Sequence, residues 1–215
     1  MEQHAKVSGK RIAVPAVTFI MALVLSGIIF AFMGYDPLAI YASILTGTFK
    51  STGSVANALA NSVPLILAGL AVAVASKAGV LNLGVEGQLY IGGMVGTVCA
   101  LYLPIENHLM LLGITFLAAM AGGMLWGAVI GILKARFKTN EVVVAIMLNY
   151  IAQLFTSYLA AGPMKDPSIG VNQTVMLPEA ARLSKLIPRT QITVALFLAI
   201  GICVVVWFLY RHTSV

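Results

Sequence analysis

An apolar run of about 20 residues can cross the roughly 30 Å hydrocarbon core of a bilayer as a helix, and it has few other stable fates. This chain of 215 residues holds such runs at 12–33, 55–76, 109–133, 141–161 and 192–210, with a shorter one at 89–103. The expected fold class is all-α: a polytopic transmembrane helical bundle of about six spans. Composition agrees. Hydrophobic residues make up 60% of the chain and charged residues only 9%, where a soluble domain carries about 25%. A water-soluble globule of this size needs a polar skin that this sequence cannot supply, so lipid must be the solvent for much of it.

The formal charge of +6 is no signal for nucleic acid, because the basic residues lie in short clusters between apolar runs, as membrane loops do. Lys6, Lys10 and Arg11 precede the first run. That run is too long for a signal-peptide core, and no small-x-small cleavage site follows it, so it is expected to remain as the first span. Residues 1–11 then form a cytoplasmic tail and 12–215 a membrane domain. Gly34-Tyr35-Asp36-Pro37 breaks the chain, and 37–49 reads as a short interfacial helix. A polar connection at 162–191 carries Pro163, Pro167, Pro178 and Pro188 and is expected outside. A cytoplasmic N-terminus places Lys77, Lys134, Arg136, Lys138 and Arg211 on the inner side, as the positive-inside rule requires. Lys165, Arg182, Lys185 and Arg189 in the external connection run against it.

Glycine spacing points to close helix packing. Gly123, Gly127 and Gly131 recur every four residues in one span, and Gly92 and Gly96 do so in another. Such rows let helix backbones approach in lipid, where dispersion drives association. Cys99 and Cys203 lie in apolar runs, without metal-ligand or disulfide spacing.

Two segments depart from simple hydropathy. Residues 77–88 place three glycines and the polar Asn82, Glu86 and Gln88 between two apolar runs. The region 77–93 is either a broken or re-entrant element, with its backbone buried in protein or lining a wet cavity, or a tight cytoplasmic turn in which Glu86 pairs with Lys77. The second segment begins at Lys138-Thr139-Asn140-Glu141. Thr139 is expected as an N-cap and Glu141 in a first helical turn. Asn149 and Gln153, four residues apart on one helix face, sit inside an apolar span. Buried amides are costly without partners, so they either bond to another helix or face a polar conduit, the former being favoured.

The stretch Gly79-Val80-Leu81-Asn82-Leu83-Gly84-Val85-Glu86-Gly87-Gln88 resembles the signature of the permease family of ribose-type and nucleoside ABC importers. Thr139-Asn140-Glu141-Val142-Val143, continued by Ile146-Met147-Leu148-Asn149-Tyr150-Ile151, is similar to the nucleoside branch more narrowly, as is the stretch from Pro64 to Ala73. The likeness extends from about Gly34 to the end. It implies an all-helical subunit that pairs with a second, related permease, binds a cytoplasmic ABC ATPase and receives nucleoside from an extracytoplasmic binding lipoprotein in the bacterial inner membrane. ATP and Mg would be bound by the ATPase, with no cofactor or metal on this chain. Family members continue past the equivalent of Arg211 into a coupling loop and further spans, so a sequence ending at Val215 is expected to be a fragment.

Absent motifs support a transport subunit over an enzyme. No phosphate-cradling Gly-x-x-x-x-Gly-Lys-Ser/Thr loop, Gly-x-Ser-x-Gly elbow or His-Glu-x-x-His pair is found, and His4, His108 and His212 fall at the terminus or at span ends. An ion-coupled carrier would call for internal repeats and intramembrane charge; Glu86 is the main candidate and the halves show no repeat. The expected pathway is bordered by Asn82, Glu86, Gln88, Asn149 and Gln153, with Tyr150 and Phe155 able to stack on a base. The scarcity of charge suits a nucleoside, with a sugar permease as the alternative.

Overall fold

The computed structural model describes the backbone of residues 2–212 and the side chains of residues 13–212. Met1, the residues 213–215 and the side chains of His4, Lys6, Lys10 and Arg11 lie outside the described set. Seven α-helices run through it: α1 Glu2–Phe32, α2 Pro37–Phe49, α3 Thr52–Lys77, α4 Val85–Tyr102, α5 His108–Phe137, α6 Glu141–Ala161 and α7 Ala195–His212. Among the described residues, extended pairing is limited to two isolated bridges, Lys165 with Thr174 and Lys185 with Thr193. The bundle is all-helical, as expected. The residues read as a cytoplasmic tail continue α1 back to Glu2.

Five helices (α1 over 13–32, α3, α5, α6 and α7) are long and apolar enough to cross a membrane. Within the chain their apolar windows are only 0–17% buried, so their side chains need lipid or further protein around them. The sixth expected span, α4, is not among the five. Glu86 and Gln88 dilute its hydropathy. It starts at Val85 rather than at residue 89, because the polar residues form its first turn instead of a loop. It also holds five buried residues, the most of any helix described: Val85, Gly87, Gly92, Gly96 and Ala100. A helix surrounded by protein has no need to be apolar throughout.

The chain divides into two compact units, residues 1–58 and 59–215. In the first, α1 closes with a Schellman turn: Gly34 has φ +83°, its N–H donates to Ala31 O and that of Tyr35 to Phe30 O, each at 3.0 Å. Asp36 then caps α2, accepting from Leu38 N at 2.9 Å, with Pro37 at the first helical position. Tyr41 fastens α2 back on α1. Its hydroxyl donates to Leu23 O at 2.6 Å and touches Ser26 Oγ at 2.8 Å, and its ring meets Phe30 edge-on.

In the second unit α3 ends in the same way, with Gly79 at φ +76°, Gly79 N–H on Ser76 O (3.1 Å) and Val80 N–H on Ala75 O (3.0 Å). Helices α4 and α5 pack antiparallel along their length. A Cβ on Gly92 would fall 2.8 Å from Ala119 O, and one on Gly96 3.2 Å from Ala119 Cβ, so glycine permits this approach. Helix α6 lies against α4. Side-chain oxygens cap α5 and α6: Asn107 accepts from Met110 N (3.1 Å) and Asn140 from Val142 N (3.0 Å). Asn140, not Thr139, is therefore the cap of α6. The Thr139 hydroxyl is buried without a hydrogen-bond partner.

The polar connection after α6 is folded onto the far end of α4 and α5. Ala181 from its 3₁₀ turn is buried with Ala100 and Leu111. His108 Nδ1 meets Ala180 O at 2.8 Å, and Arg182 donates from Nε and Nη2 to Leu177 O. In the same segment Ser168 donates from N (2.9 Å) and Oγ (2.5 Å) to Asp166, holding that carboxyl below its ordinary range. At the opposite end Lys77 Nζ sits 4.2 Å from the centre of the Tyr210 ring.

The left-handed turn at Gly79 predicts that Gly79→Ala lowers stability by about 1 kcal/mol. Gly131→Ala, in a right-handed helix with nothing within 4 Å of the new Cβ, should not. Unfolding midpoints in detergent check both.

Candidate functional site

Every helix opens with backbone N–H groups that have no intrahelical acceptor, and at α4 the problem is acute. Its N-cap is Gly84, which makes no side-chain cap bond. The missing acceptor comes from another helix. Asn149 of α6 accepts from Gly87 N at 2.9 Å through Oδ1 and donates through Nδ2 to Leu83 O at 2.9 Å. One amide thus serves a donor of the α4 first turn and a carbonyl of the segment before it.

Gly87 is glycine for steric reasons. A Cβ there would lie 2.8 Å from Asn149 Oδ1 and 2.9 Å from Trp126 Nε1. Gln88, on the adjacent face, covers α5: Cβ atoms on Gly127 and Gly123 would meet Gln88 Nε2 at 2.9 Å and Gln88 O at 3.1 Å. Asn82 folds over the same turn, accepting from Gly84 N at 3.1 Å and from Gln88 Nε2 at 3.4 Å.

These contacts set the depth at which α4 begins. Asn149 stands eight positions past Glu141 (149 − 141), about 12 Å along α6 at 1.5 Å per residue. Gly127 stands ten positions before Phe137 (137 − 127), about 15 Å along α5. The non-helical stretch 78–84 therefore runs inward from the end of α3 to meet α4 inside the bundle, and is not a turn at the rim. Its backbone borders a cleft of about 330 Å³ whose walls include Leu81, Asn82, Gln88 and Gly127, with Lys134 and Glu141. Those last two form an ion pair bridging the short turn between α5 and α6.

Of the expected pathway residues, Asn82, Gln88 and Asn149 meet in one cluster. Glu86, Tyr150 and Gln153 do not join it; all three are exposed. No ion pair of Glu86 with Lys77 is present among the described residues, Lys77 being placed over Tyr210. Gln153 leaves the contact line because four residues turn a helix through about 400°, while the buried face of α6 continues through Ala152 and Thr156. Gly92, Gly96, Gly123 and Gly127 all lie at close approaches, whereas Gly131 borders the cleft with open space above it. Phe155 is half exposed. The Lys134–Glu141 pair and Trp126, whose buried indole N–H has no acceptor among the described residues, escaped the sequence reading. Opposite charges flanking the 138–140 turn were a usable signal for the pair; nothing marked Trp126. No group of His, Cys, Asp and Glu suited to hold a metal ion occurs among the described residues.

Residues 54–215 match the protein family described as "Branched-chain amino acid transport system / permease component". The chain belongs to this family. It is 36% identical over 210 residues to the guanosine ABC transporter permease NupP of Bacillus subtilis, covering 94% of this chain and 58% of that protein. Identity to the nucleoside ABC transporter permease NupB of Lactococcus lactis is 28% over 213 residues, 95% of this chain and 58% of that one. A glucose ABC transporter permease of Haloferax volcanii is 35% identical over 172 residues, 80% of this chain and 45% of the relative. The chain thus spans about half the length of the curated relatives it matches. No solved structure matches it. Family membership and five membrane-length apolar helices make it a multi-pass membrane protein.

If Asn149 caps α4, Asn149→Leu leaves Gly87 N–H and Leu83 O unpaired, at about 1–3 kcal/mol for each. Asn149→Asp, which keeps an acceptor at the helix N-terminus, should lose less. Denaturant or thermal unfolding of the detergent-solubilised protein checks the order.

Proposed function

We propose that this chain belongs to the pore-forming permease subunit of an ABC importer that moves nucleosides into the cell, driven by ATP hydrolysis on a partner. The observation that carries this reading is the match to the guanosine permease over 94% of the chain, which extends through both clustered motifs. The partners are a second related permease, a cytoplasmic ABC ATPase holding ATP and Mg, and an extracytoplasmic binding lipoprotein. The location is the bacterial inner membrane.

Charge orients the protein. Lys77, Lys134, Arg136 and Lys138 share the end where α3 and α5 finish, and Arg211 follows Tyr210, on which Lys77 stacks. That end faces the cytoplasm. With α2 interfacial and α1 and α3 each crossing once, the N-terminus is cytoplasmic too.

The inward-running 78–84 segment and the Asn82, Gln88 and Asn149 cluster border the inner half of the pathway. Because Asn149 commits its oxygen and nitrogen to backbone groups, it shapes the break, while Gln88 and Asn82 present their remaining polar capacity to the cleft. The exposed Glu86, Tyr150 and Gln153 extend the same border where further protein surrounds α4 and α6.

A sugar importer is the second reading, favoured by the 35% identity to a glucose permease. Uptake of labelled guanosine, adenosine, cytidine, ribose and glucose into vesicles holding the complete transporter decides between them. The expected result is saturable nucleoside uptake that needs ATP and survives collapse of ion gradients. Sugar uptake alone would replace the nucleoside with a sugar. Uptake that ignores ATP and stops with the proton gradient would make it an ion-coupled carrier, with Glu86 the first residue to change.

A further inference from the structure

Beyond Asn149 a cleft of about 590 Å³ is lined by α4, α6 and the polar connection that follows α6. It falls within the roughly 300–1,000 Å³ of small-molecule sites. Its walls differ in kind from those of the neighbouring clefts. The inner cleft carries Lys134 and Glu141, and a cleft on the α5 side of α4 carries Arg182 and Lys185. This one has no charged side chain in its lining: Tyr90, Met94 and Thr97 come from α4, Ser157 from α6, and Asn172 and Thr174 from the connection. Gly93, with nothing within 4 Å of an added Cβ, leaves its floor open.

Each element contributes for a physical reason. Tyr90 and Thr97 lie seven positions apart (97 − 90), two turns of one helix face. Thr97 donates its hydroxyl proton to Gly93 O at 2.8 Å, which fixes the rotamer and leaves the oxygen to accept from a ligand. The bridge between Lys165 and Thr174 holds the connection in place, so Asn172 and Thr174 stand over the cleft on an anchored segment. The set combines hydroxyl and amide groups, able to donate and accept, with one aromatic ring and one polarisable thioether beside it. A charged solute would leave water for a wall without a counter-charge, at a cost of several kcal/mol. A neutral solute that has hydroxyls at one end and a flat ring at the other matches both parts.

We propose that this α4–α6 cleft is a recognition site for the transported solute, with Tyr90 and Met94 against a nucleobase and Thr97, Ser157, Asn172 and Thr174 toward the ribose hydroxyls. The assignment rests on the nucleoside-importer reading and adds the residues that would select the solute.

The test uses the complete transporter in vesicles, with Cys99 and Cys203 replaced by serine and Ser157→Cys introduced as a reporter. Saturating guanosine should slow modification of that thiol by a membrane-impermeant reagent at least fivefold, and glucose should not. In the parent background, Thr97→Val and Tyr90→Leu should each raise KM for guanosine uptake about tenfold with less effect on the maximal rate. Nucleoside uptake by the unaltered transporter, together with an unprotected thiol and unchanged KM in both variants, would overturn the cleft assignment while leaving the importer reading intact. Thiol protection by glucose equal to that by guanosine would overturn the nucleobase role of Tyr90 and Met94. Absence of nucleoside uptake by the unaltered transporter would overturn the importer reading and the cleft assignment with it.

Discussion

Asn149 settles a requirement that neither α4 nor its own linker can meet. A helix that begins inside a bundle has unpaired N–H groups, and the non-helical backbone leading into it has unpaired carbonyls. In water both would be solvated; within a membrane protein they need partners from the chain. A glycine N-cap has no side chain to offer. One carboxamide on α6, two bonds of 2.9 Å each, supplies an acceptor and a donor at once in one rigid plane. The depth of α4, the inward course of 78–84 and the cleft beside it all follow from where that amide stands.

The rest of the unit around α4 reads as support for this arrangement. Glycines at 87, 123 and 127 remove the Cβ atoms that would push α6 or α5 off the first turn of α4, and Gly92 and Gly96 continue the contact toward the other end. Helices α3, α5, α6 and α7 turn mostly apolar side chains outward. The division of labour has a simple cause. Lipid tolerates apolar surface and punishes unpaired polar groups, so the break in the backbone occurs where neighbouring helices supply its partners.

How far the sequence foretold this depends on the residue. Helix α6 was legible to its ends, Glu141–Ala161, because a charged capping region and a glycine bound a mostly apolar run. The all-helical class and the glycine contacts of α4 with α5 were legible for the same reason: periodic, local signals. Helix α4 was not. Its first turn looked like loop because Glu86, Gly87 and Gln88 are poor membrane residues, and the acceptor that completes the turn, Asn149, comes from another helix. Asn149 was foreseen to seek a partner, but the choice between another helix and a conduit needed a neighbour 62 positions away (149 − 87). Gln153 shared its face on paper, yet the buried face of α6 runs on through Ala152 and Thr156 and leaves it exposed. The α4–α6 cleft gave no signal at all, since single hydroxyls in apolar helices carry no pattern until the fold brings them together.

The capping of α4 by Asn149 is most directly tested by amide hydrogen exchange over residues 84–90, comparing the unaltered protein with Asn149→Leu and Gln153→Leu. Capping by Asn149 predicts a Gly87 amide that is slow to exchange in the unaltered protein and in Gln153→Leu and fast in Asn149→Leu. Equal protection in all three proteins would contradict it.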